Sequence, residues 1–382
     1  MRADGLSEET AALRDTVREF ARDVVAPVIG ELYERHEFPY DIVRAMGDLG
    51  LFGLPFPEEY GGQGGTYLDL CVAIEELARV DSSVAITLEA AVSLGAMPIY
   101  RFGTQAQKGE WLPRLCSGQA LAAFGLTEPG GGSDAGATST TARRDGDEWV
   151  IDGTKAFITN AGTDISVLVT VAAVTGEVDG RKEISTILVP AGTPGLSVGR
   201  PYSKVGWSSS DTREVSLAGC RVPSANLLGE LGRGYAQFLQ TLDEGRIAIA
   251  ALATGLAQGC VDESVTYAGQ RLAFGHPIGA YQAIQFKVAD MGTRAHLSRL
   301  AYRDAAARLL AGEPFKRAAS MAKLFASESA VTNAREATQV HGGYGFMNEF
   351  PVARMWRDAK VLEIGEGTSE VQRMLIARDL GL

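Results

Sequence analysis

The hydrophobic residues of this chain change their spacing twice, and the order of these changes restricts the fold more than any other feature. Between residues 13 and 24, apolar side chains recur every three or four positions, as on one face of a helix. Between residues 165 and 172 the residues alternate with a period of two, as in a strand. From about Gly232 the helical spacing returns, with Phe238, Leu242 and Ile249 on one face. The sequence therefore predicts a multidomain α+β protein with helices first, then strands, then helices.

These changes divide the 382 residues into three predicted domains. We expect a helical N-terminal domain at residues 1–122, a middle β domain at residues 123–230 and a C-terminal helical bundle at residues 231–382. Short strands punctuated by glycine and proline favour a small β-barrel or sandwich in the middle domain. In the N-terminal domain, Ser7 is placed to cap the first helix, and Gly50 to end a helix that begins at Tyr40.

Composition argues against several kinds of partner. The net charge of -11 and the pI near 5.0 come from dispersed acidic residues, which disfavour binding to nucleic acid or to an anionic membrane. The four cysteines and the four histidines are scattered and match no zinc-binding or disulfide pattern. We therefore expect no metal site and a reducing compartment.

The sequence also predicts a cytoplasmic protein without membrane insertion. Residues 1–9 are polar and acidic and lack the apolar core of a signal peptide. No apolar run is expected to be long enough to span a bilayer; residues 247–257 come nearest and are interrupted by Thr254.

A glycine-rich loop marks the place where helices give way to strands. Three consecutive glycines, residues 130–132, would let backbone amides approach a ligand closely, and Thr127 and Ser133 add hydroxyl groups at either end. The alternative is an interdomain loop without a ligand. No GxGxxG motif follows a predicted strand, so a Rossmann-type dinucleotide fold is not supported.

A second candidate site lies near the C-terminus, where Glu366 stands between Gly365 and Gly367. The two glycines would let a ligand approach the backbone, and a carboxylate in an apolar pocket has a raised pKa that suits a general base. On spacing alone, Glu363 and Glu370 are equally good candidates for this role. The residues by themselves therefore leave three acids open.

Several segments, in the same order along the chain, resemble the signatures of the acyl-CoA dehydrogenase family. The Glu366-Gly367-Thr368-Ser369 sequence resembles the segment that carries the family's base. The other segments are Leu126-Thr127-Glu128-Pro129 with Gly132-Ser133-Asp134, Lys155-Ala156-Phe157-Ile158-Thr159-Asn160, Asp243-Glu244-Gly245-Arg246, residues 270–278 with 282–287, and Gln339-Val340-His341-Gly342-Gly343. The resemblance covers roughly residues 7–380.

The resemblance implies a helical N-terminal domain, a central β-barrel and a C-terminal four-helix bundle, assembled as a homotetramer built from two dimers. It implies tightly but non-covalently bound FAD. The implied reaction converts an acyl-CoA to its trans-2-enoyl-CoA: Glu366 removes the α-proton, the β-hydride goes to flavin N5, and electrons pass to an electron-transfer flavoprotein.

The resemblance also assigns roles to individual residues. Besides Glu366, the residues implied to contact the substrate are Ser133, Asp243, Glu244, Gly245, Arg246, Gly365 and Gly367. Those implied to contact FAD are Phe124, Leu126, Thr127, Gly132, Ser133, Phe157, Thr159, Arg271, Phe274, Gln282, Gln339, Val340, Gly342, Gly343, Thr368 and Glu370. Of these, Arg271, Gln282 and the 339–343 segment are implied to reach the FAD of a neighbouring subunit.

The sequence departs from the family pattern at three positions. Gly245 cannot ionise where some members place the catalytic acid, which assigns the base elsewhere. Gly365 replaces a frequent tyrosine, which predicts a wider pocket for branched or bulky acyl groups, or else only eases a helix start. Ser208 stands where the family has an arginine, which puts that arginine's contacts in doubt.

Three other functions remain compatible with these motifs. An acyl-CoA oxidase would use the same base but pass electrons to O₂, and a flavin-dependent monooxygenase on this fold would usually lack Glu366. A non-catalytic acyl-CoA binder would keep the fold without the reaction.

Overall fold

The computed structural model describes residues 5–382, so the first four residues of the polar N-terminal segment, and of the predicted first domain, lie outside the described part. The order of helices, strands and helices is confirmed. The domain limits at residues 122 and 230 stay predictions.

The N-terminal region is helical, as predicted. Its helices are α1 (Glu8–Phe20), α2 (Ala26–Glu34), α3 (Tyr40–Asp48), α4 (Tyr67–Ala78), α5 (Ser82–Glu89), α6 (Met97–Phe102) and α7 (Gln105–Cys116). The Ser7 hydroxyl accepts a hydrogen bond from the Thr10 amide at 3.1 Å, which confirms Ser7 as the cap of α1. Gly50 follows α3 with a φ of 72°, a conformation that glycine adopts without strain.

One helical stretch corrects the expectation about membrane spans. Residues Ser82–Phe102 run through α5, a π-helical segment (Ala90–Ala96) and α6, and their mean hydropathy of 1.4 is high enough to cross a membrane by length and composition. The same window is 94% buried inside the fold. The surrounding elements therefore cover this stretch, as they cover the core helix of a large domain.

The middle region is a sheet of eight strands: β1 (Leu121–Gly125), β2 (Thr141–Asp145), β3 (Glu148–Thr159), β4 (Ser166–Val178), β5 (Arg181–Pro190), β6 (Leu196–Val198), β7 (Thr212–Pro223) and β8 (Leu227–Leu228). The period-two pattern at residues 165–172 is confirmed as part of β4. The strand order is β6-β7-β3-β2-β4-β5-β8, and β1 pairs with β4 in parallel.

The prediction of a closed β-barrel was wrong, because this sheet is open. Its two ends are β6, with three residues, and β8, with two. Strands this short offer too few backbone groups to form the ladder that would close the sheet on itself. In the middle, β2 and β4 share a single residue pair, Thr141 with Val174.

The C-terminal region contains three long helices, α8 (Gly234–Gln270), α9 (Gln282–Leu310) and α10 (Lys316–His341), and two short ones, α11 (Pro351–Ala359) and α12 (Ser369–Asp379). A small hairpin of β9 (Leu272–Ala273) and β10 (His276–Pro277) separates α8 from α9. The prediction of a helical C-terminal region is confirmed, with three long and two short helices. Gly342, which has a φ of 60°, follows the last residue of α10.

Candidate active site

The loop that carries Glu366 lies between a 3-10 turn (Lys360–Glu363) and α12. Glu366 has a φ of 52° and Gly367 a φ of 94°, so two consecutive residues adopt left-handed conformations. Such a φ is uncommon for a residue other than glycine and persists only where neighbouring contacts impose it. The backbone of this loop is therefore held in a specific turn.

Two buried side chains hold the turn, and sequence analysis missed both. Lys323 of α10 donates to the Gly367 carbonyl oxygen at 2.7 Å, and Gln372 of α12 donates to the same oxygen at 2.9 Å. Thr368 caps α12 by accepting from the Val371 amide at 3.2 Å. Lysine and glutamine are common in helices, so nothing in the sequence marks Lys323 and Gln372 as contacts of a distant loop.

The carboxyl group of Glu366 is directed into the protein. Both of its oxygens are buried, and the only side chain within residues 5–382 placed to bond to them is another carboxyl group, that of Glu89. Burial raises the pKa of Glu366 to about 7, against the opposing effects of a hydrogen bond from Glu89 and of the Lys323 and Arg246 charges. A carboxyl group with a pKa near neutrality is matched to general-base catalysis.

Gly245 of α8 leaves the space that this carboxyl group occupies. A Cβ atom at position 245 would lie 2.4 Å from Oε2 of Glu366, closer than any real contact. The glycine that the sequence placed at an alternative base position therefore lies directly against the carboxyl group of Glu366.

Two acids that were the next candidates for the base are ion-paired. Asp243 accepts from Arg246 at 2.5 Å and from Lys316 at 2.7 Å. Glu244 is paired with Arg101 at 3.1 Å. Burial raises the pKa of Glu244 in spite of Arg101, but the carboxyl groups of both acids are engaged by cations, whereas that of Glu366 is not.

The two acids near Glu366 in sequence also differ from it. Glu363 is paired with Lys360 at 2.5 Å. Glu370 is exposed, and hydrogen bonds from its own amide and from Thr368 at the helix start lower its pKa. Of the three acids that spacing left open, Glu366 alone combines burial of its carboxyl oxygens with a raised pKa among the described residues.

Glu89 is a third acid in this pocket, and sequence analysis missed it. It is the last residue of α5, is 0% exposed, and has no hydrogen-bond partner for either oxygen in the described structure. Its only sequence signal is a single acid in the otherwise apolar window of residues 84–92. Such an isolated acid could have been singled out, since unpaired acids are seldom buried.

The glycine-rich loop lies beside the end of β3. The Ala156 amide donates to the Thr127 carbonyl oxygen at 2.9 Å, which joins the loop to the strand that carries Phe157 and Thr159. Phe157 has a φ of 60°, and its side chain is 66% exposed, so it does not belong to the core. Phe124 and Leu126 come at the junction of β1 and the loop.

A buried ion pair between Lys155 of β3 and Glu128 joins this loop to the strand. Lys155 donates to Glu128 at 2.7 Å and to the Leu126 carbonyl oxygen at 3.3 Å. Burial alone would raise the pKa of Glu128, but hydrogen bonds from Lys155, Ser139 and Thr140 lower it to about 2. Both residues belong to predicted motifs, but the sequence does not show that they form a pair. Gly132 and Ser133 lie farther along the same loop, where Ser133 is exposed.

A cleft of about 430 Å³ is lined by several of the residues that were predicted to contact the FAD of a neighbouring subunit. Its lining consists of Tyr267, Arg271, Ile278, Val340, His341, Gly342, Gly343, Tyr344 and Met347. Arg271 lies 5.7 Å from the centre of the Tyr344 ring. Gln282 and Gln339 are exposed outside this lining, and Phe274 is 95% exposed.

Cysteines and possible metal ligands add no further site within residues 5–382. All four cysteines are free and buried. In that range no group of three or more His, Cys, Asp or Glu side chains could hold a metal ion.

Comparisons with known proteins agree along the whole chain. Family models for the acyl-CoA dehydrogenase N-terminal, middle and C-terminal domains match residues 7–119, 123–220 and 232–381. A probable acyl-CoA dehydrogenase of Bacillus subtilis is 50% identical over 376 residues, which cover 98% of each chain.

Solved structures give the same result. Butyryl-CoA dehydrogenase from Megasphaera elsdenii has a TM-score of 0.95 and 39% identity, covering 98% of this chain and 99% of that one. A chain from a structural study of the electron transferring flavoprotein of Acidaminococcus fermentans has a TM-score of 0.95 and 40% identity, covering 99% of both chains.

Proposed function

Because the chain belongs to the acyl-CoA dehydrogenase family, we propose that Glu366 is the base of the reaction. The protein is an FAD-dependent oxidoreductase of fatty acid metabolism that dehydrogenates an acyl-CoA thioester. The observation that carries the assignment is the carboxyl group of Glu366, which is buried without a hydrogen-bond partner in the described chain.

Removal of the α-proton needs a base and a donor to the thioester oxygen, which gains negative charge. Glu366 supplies the base, and Gly365 and Gly367 leave room for the thioester beside it. The Glu366 amide has no acceptor among residues 5–382, so it is free to donate to the thioester oxygen. The expected product is the trans-2-enoyl-CoA. FAD, when bound, supplies the acceptor for the hydride that leaves the β-carbon.

The residues of the glycine-rich loop and of β3 fit the flavin ring of FAD. An exposed aromatic ring at Phe157 can cover one ring face, and the Thr159 hydroxyl is placed at the end of the strand. The hydrogen bond between the Ala156 amide and the Thr127 carbonyl oxygen holds the loop beside β3, which supports this assignment. Phe124, Leu126, Gly132 and Ser133 complete this group, and Thr368 and Glu370 stand at the start of α12.

The cleft around Arg271 fits the charged part of the same cofactor. An arginine guanidinium suits a pyrophosphate because it donates in a fixed fork. Gly342 and Gly343 leave open space around the backbone, since a Cβ atom at either position would meet nothing within 4 Å. Phe274, Gln282, Gln339 and Val340 belong to this proposed region, which would serve the FAD of a neighbouring subunit.

Assembly as a homotetramer is supported by apolar side chains left uncovered on the C-terminal region. Among the large exposed hydrophobic residues are Phe274, Phe346, Leu272 and Phe286, at 95%, 82%, 64% and 62% exposure. Exposed apolar surface of this kind marks protein contacts. Light scattering on the purified protein should give four times the mass of 40.5 kDa.

The proposed electron acceptor is an electron-transfer flavoprotein, and the proposed location is the cytoplasm. Similarity to a chain from an electron transferring flavoprotein study supports the first. Four free, buried cysteines are compatible with a reducing compartment. The oxidase alternative predicts stoichiometric peroxide with O₂, whereas a dehydrogenase should reduce the flavoprotein and yield little peroxide.

The acyl group is proposed to be short, with room for branching. Similarity to butyryl-CoA dehydrogenase supports the short chain. A Cβ atom at Gly365 would meet only the Val361 carbonyl oxygen, at 3.5 Å, so the glycine leaves usable space beside the base. Turnover of butyryl-CoA should be compared with that of isobutyryl-CoA, and then turnover of larger straight and branched acyl-CoAs of equal carbon number. A strong preference for the straight chain in every pair would reject the proposal that branched acyl groups are accepted.

One experiment tests the reaction itself. The holoenzyme is mixed anaerobically with a panel of acyl-CoA thioesters, and the yellow absorbance of the oxidised flavin is followed. Bleaching by at least one thioester, with formation of the enoyl product, is expected. A protein that binds the thioesters without bleaching would instead be a non-catalytic acyl-CoA binder.

A further inference from the structure

Glu89 is a buried acid near Glu366 to which the proposed reaction gives no role. It ends α5 and is followed by the π-helical segment Ala90–Ala96, which shifts the helix register at this point. Its side chain is 0% exposed, and neither oxygen has a hydrogen-bond partner within residues 5–382. An ionised carboxylate in such a position would be strongly destabilising, so its protonation state has to be explained.

The carboxyl group of Glu366 lies beside the helical segment that follows Glu89, because a Cβ atom at Gly245 would meet both Oε2 of Glu366, at 2.4 Å, and the side chain of Leu94, at 3.6 Å. The charge of Glu366 raises the pKa of Glu89, which agrees with this proximity. Two ionised carboxylates are both acceptors and cannot bond to each other. A single proton placed between them gives each side chain a partner and leaves one negative charge instead of two. Because no other group in the described structure donates to any of the four oxygens, a shared proton would give each acid a partner that it otherwise lacks.

The surrounding charges decide which acid keeps the proton. Lys323 from α10 and Arg246 from α8 act on Glu366 and favour its ionised form. No cation acts on Glu89 among the described residues; burial and the charge of Glu366 raise its pKa well above the usual range.

Among the described neighbours of Glu89, Ser93 from the π-helical segment lowers the pKa of Glu89 but does not reverse the net rise. Tyr67 and Cys71 from α4 also lie within range of the Glu89 charge, and Glu244 from α8 acts on Tyr67. Ser93 also accepts a hydrogen bond from the Tyr67 hydroxyl at 3.1 Å, and burial raises the pKa values of both Tyr67 and Cys71, so these two groups stay neutral. The charge of Glu244 is engaged by Arg101 at 3.1 Å.

We propose that Glu89 is a positioning residue that stays protonated and donates a hydrogen bond to the carboxylate of Glu366 in the enzyme without substrate. The inference rests on the proposed function, because it takes Glu366 to be the base. The bond would orient the base carboxylate and keep it ionised at a lower pH than burial alone would allow. Glu89 itself would exchange no proton with the substrate.

The test compares Glu89→Gln, whose amide can still donate, with Glu89→Met, which has a similar length and cannot. Acetyl-CoA has α-protons but no β-carbon, so deuterium uptake from D₂O reports proton removal without hydride transfer. Uptake is measured by mass spectrometry from pH 5.5 to 9 on the FAD-loaded variants. FAD content and thermal unfolding are recorded to establish that each variant is folded.

In Glu89→Met, the acid limb of the exchange profile should move to higher pH by about one unit, as expected for loss of one hydrogen bond to a charged group. This corresponds to an exchange rate about tenfold lower on the acid side, with the plateau at high pH retained. Glu89→Gln should stay close to the wild-type profile. Equal profiles in all three proteins, or the same shift in both variants, would overturn the donor role.

Two further measurements keep the inference separate from the proposed function. Exchange that persists in Glu366→Gln would reject Glu366 as the base, whatever the Glu89 variants show. Infrared difference spectra between wild type and Glu89→Gln at pH 7 should show a neutral carboxylic acid band that belongs to wild type alone. This comparison does not need the Met variant to fold, and the absence of such a band would contradict the proposal.

Discussion

The pocket around Glu366 and the cleft around Arg271 are built in opposite ways. Around Glu366, one chain supplies the buried acid, the lysine and glutamine that hold its loop, and the glycine that makes room for it. Around Arg271, the predicted cofactor residues are largely exposed, and the described chain leaves the cleft open.

The difference follows from what each place has to do. A base acts well only when its position and pKa are fixed before the substrate arrives, which needs burial and closely packed neighbours. A pyrophosphate brings its own charge, so an exposed arginine is enough to bind it, and a neighbouring subunit can share that task. Substitutions in the pocket should therefore cost much more than substitutions in the cleft.

The largest effect is expected for Glu366→Gln. Turnover should fall by roughly 10²-fold or more, the usual contribution of a general base, while FAD and acyl-CoA still bind. Steady-state turnover and flavin absorbance measure the two properties. Glu363→Gln is the matched control, since that acid is already paired with Lys360 and should be dispensable. Near-normal turnover in Glu366→Gln would move the base to Asp243 or Glu244.

A somewhat smaller effect is expected for Gly245→Ala, which tests how tightly the pocket is built. The added methyl group would lie 2.4 Å from Oε2 of Glu366 and must displace it. A displacement of this size should lower turnover by roughly 10- to 100-fold with little loss of FAD. Gly269→Ala, in the same helix, is the control because its Cβ atom would meet nothing within 4 Å. Equal activity of the two variants would show that the pocket is not constrained at this point.

The next largest effect is a change of about tenfold in kcat/KM with pH. With burial raising the pKa of Glu366 to about 7, the base is protonated and inactive below neutrality and ionised above it. The value of kcat/KM should therefore rise with pH through about 7 and then level off, so that it is roughly tenfold lower one unit below the midpoint. A profile that is flat from pH 5.5 to 9 would mean that the acid has an ordinary pKa and is not buried in solution.

The smallest effect is expected in the cleft. Arg271→Gln should weaken FAD binding by roughly tenfold, the cost of a lost charged hydrogen bond, while turnover at saturating FAD stays near wild type. Titration of the apoprotein with FAD measures the change. Arg308→Gln is the control, because that arginine is exposed and already paired with Asp304. If turnover at saturating FAD fell as far as in Gly245→Ala, the contrast between pocket and cleft would be lost.

Local patterns predicted the parts of the fold that depend on near neighbours. The caps at Ser7 and Gly50 and the strand at residues 165–172 were correct because each depends on residues within a few positions. Alternation in a strand determines which face is buried but does not determine whether the sheet closes. The prediction of a barrel was wrong for this reason. The expectation that no apolar run is long enough to span a bilayer was wrong for Ser82–Phe102, whose burial inside the fold only the tertiary structure shows.

The sequence by itself determined the family, the order of its three regions and the motif that contains Glu366, since these lie in short contiguous segments. Only the tertiary structure decided which of the neighbouring acids is buried and unpaired, and that Glu89, Lys323 and Gln372 surround or hold it. These residues belong to different helices, and the dielectric environment and charge around a carboxyl group depend on what packs against it in space. Residue spacing along a chain contains no record of those distances.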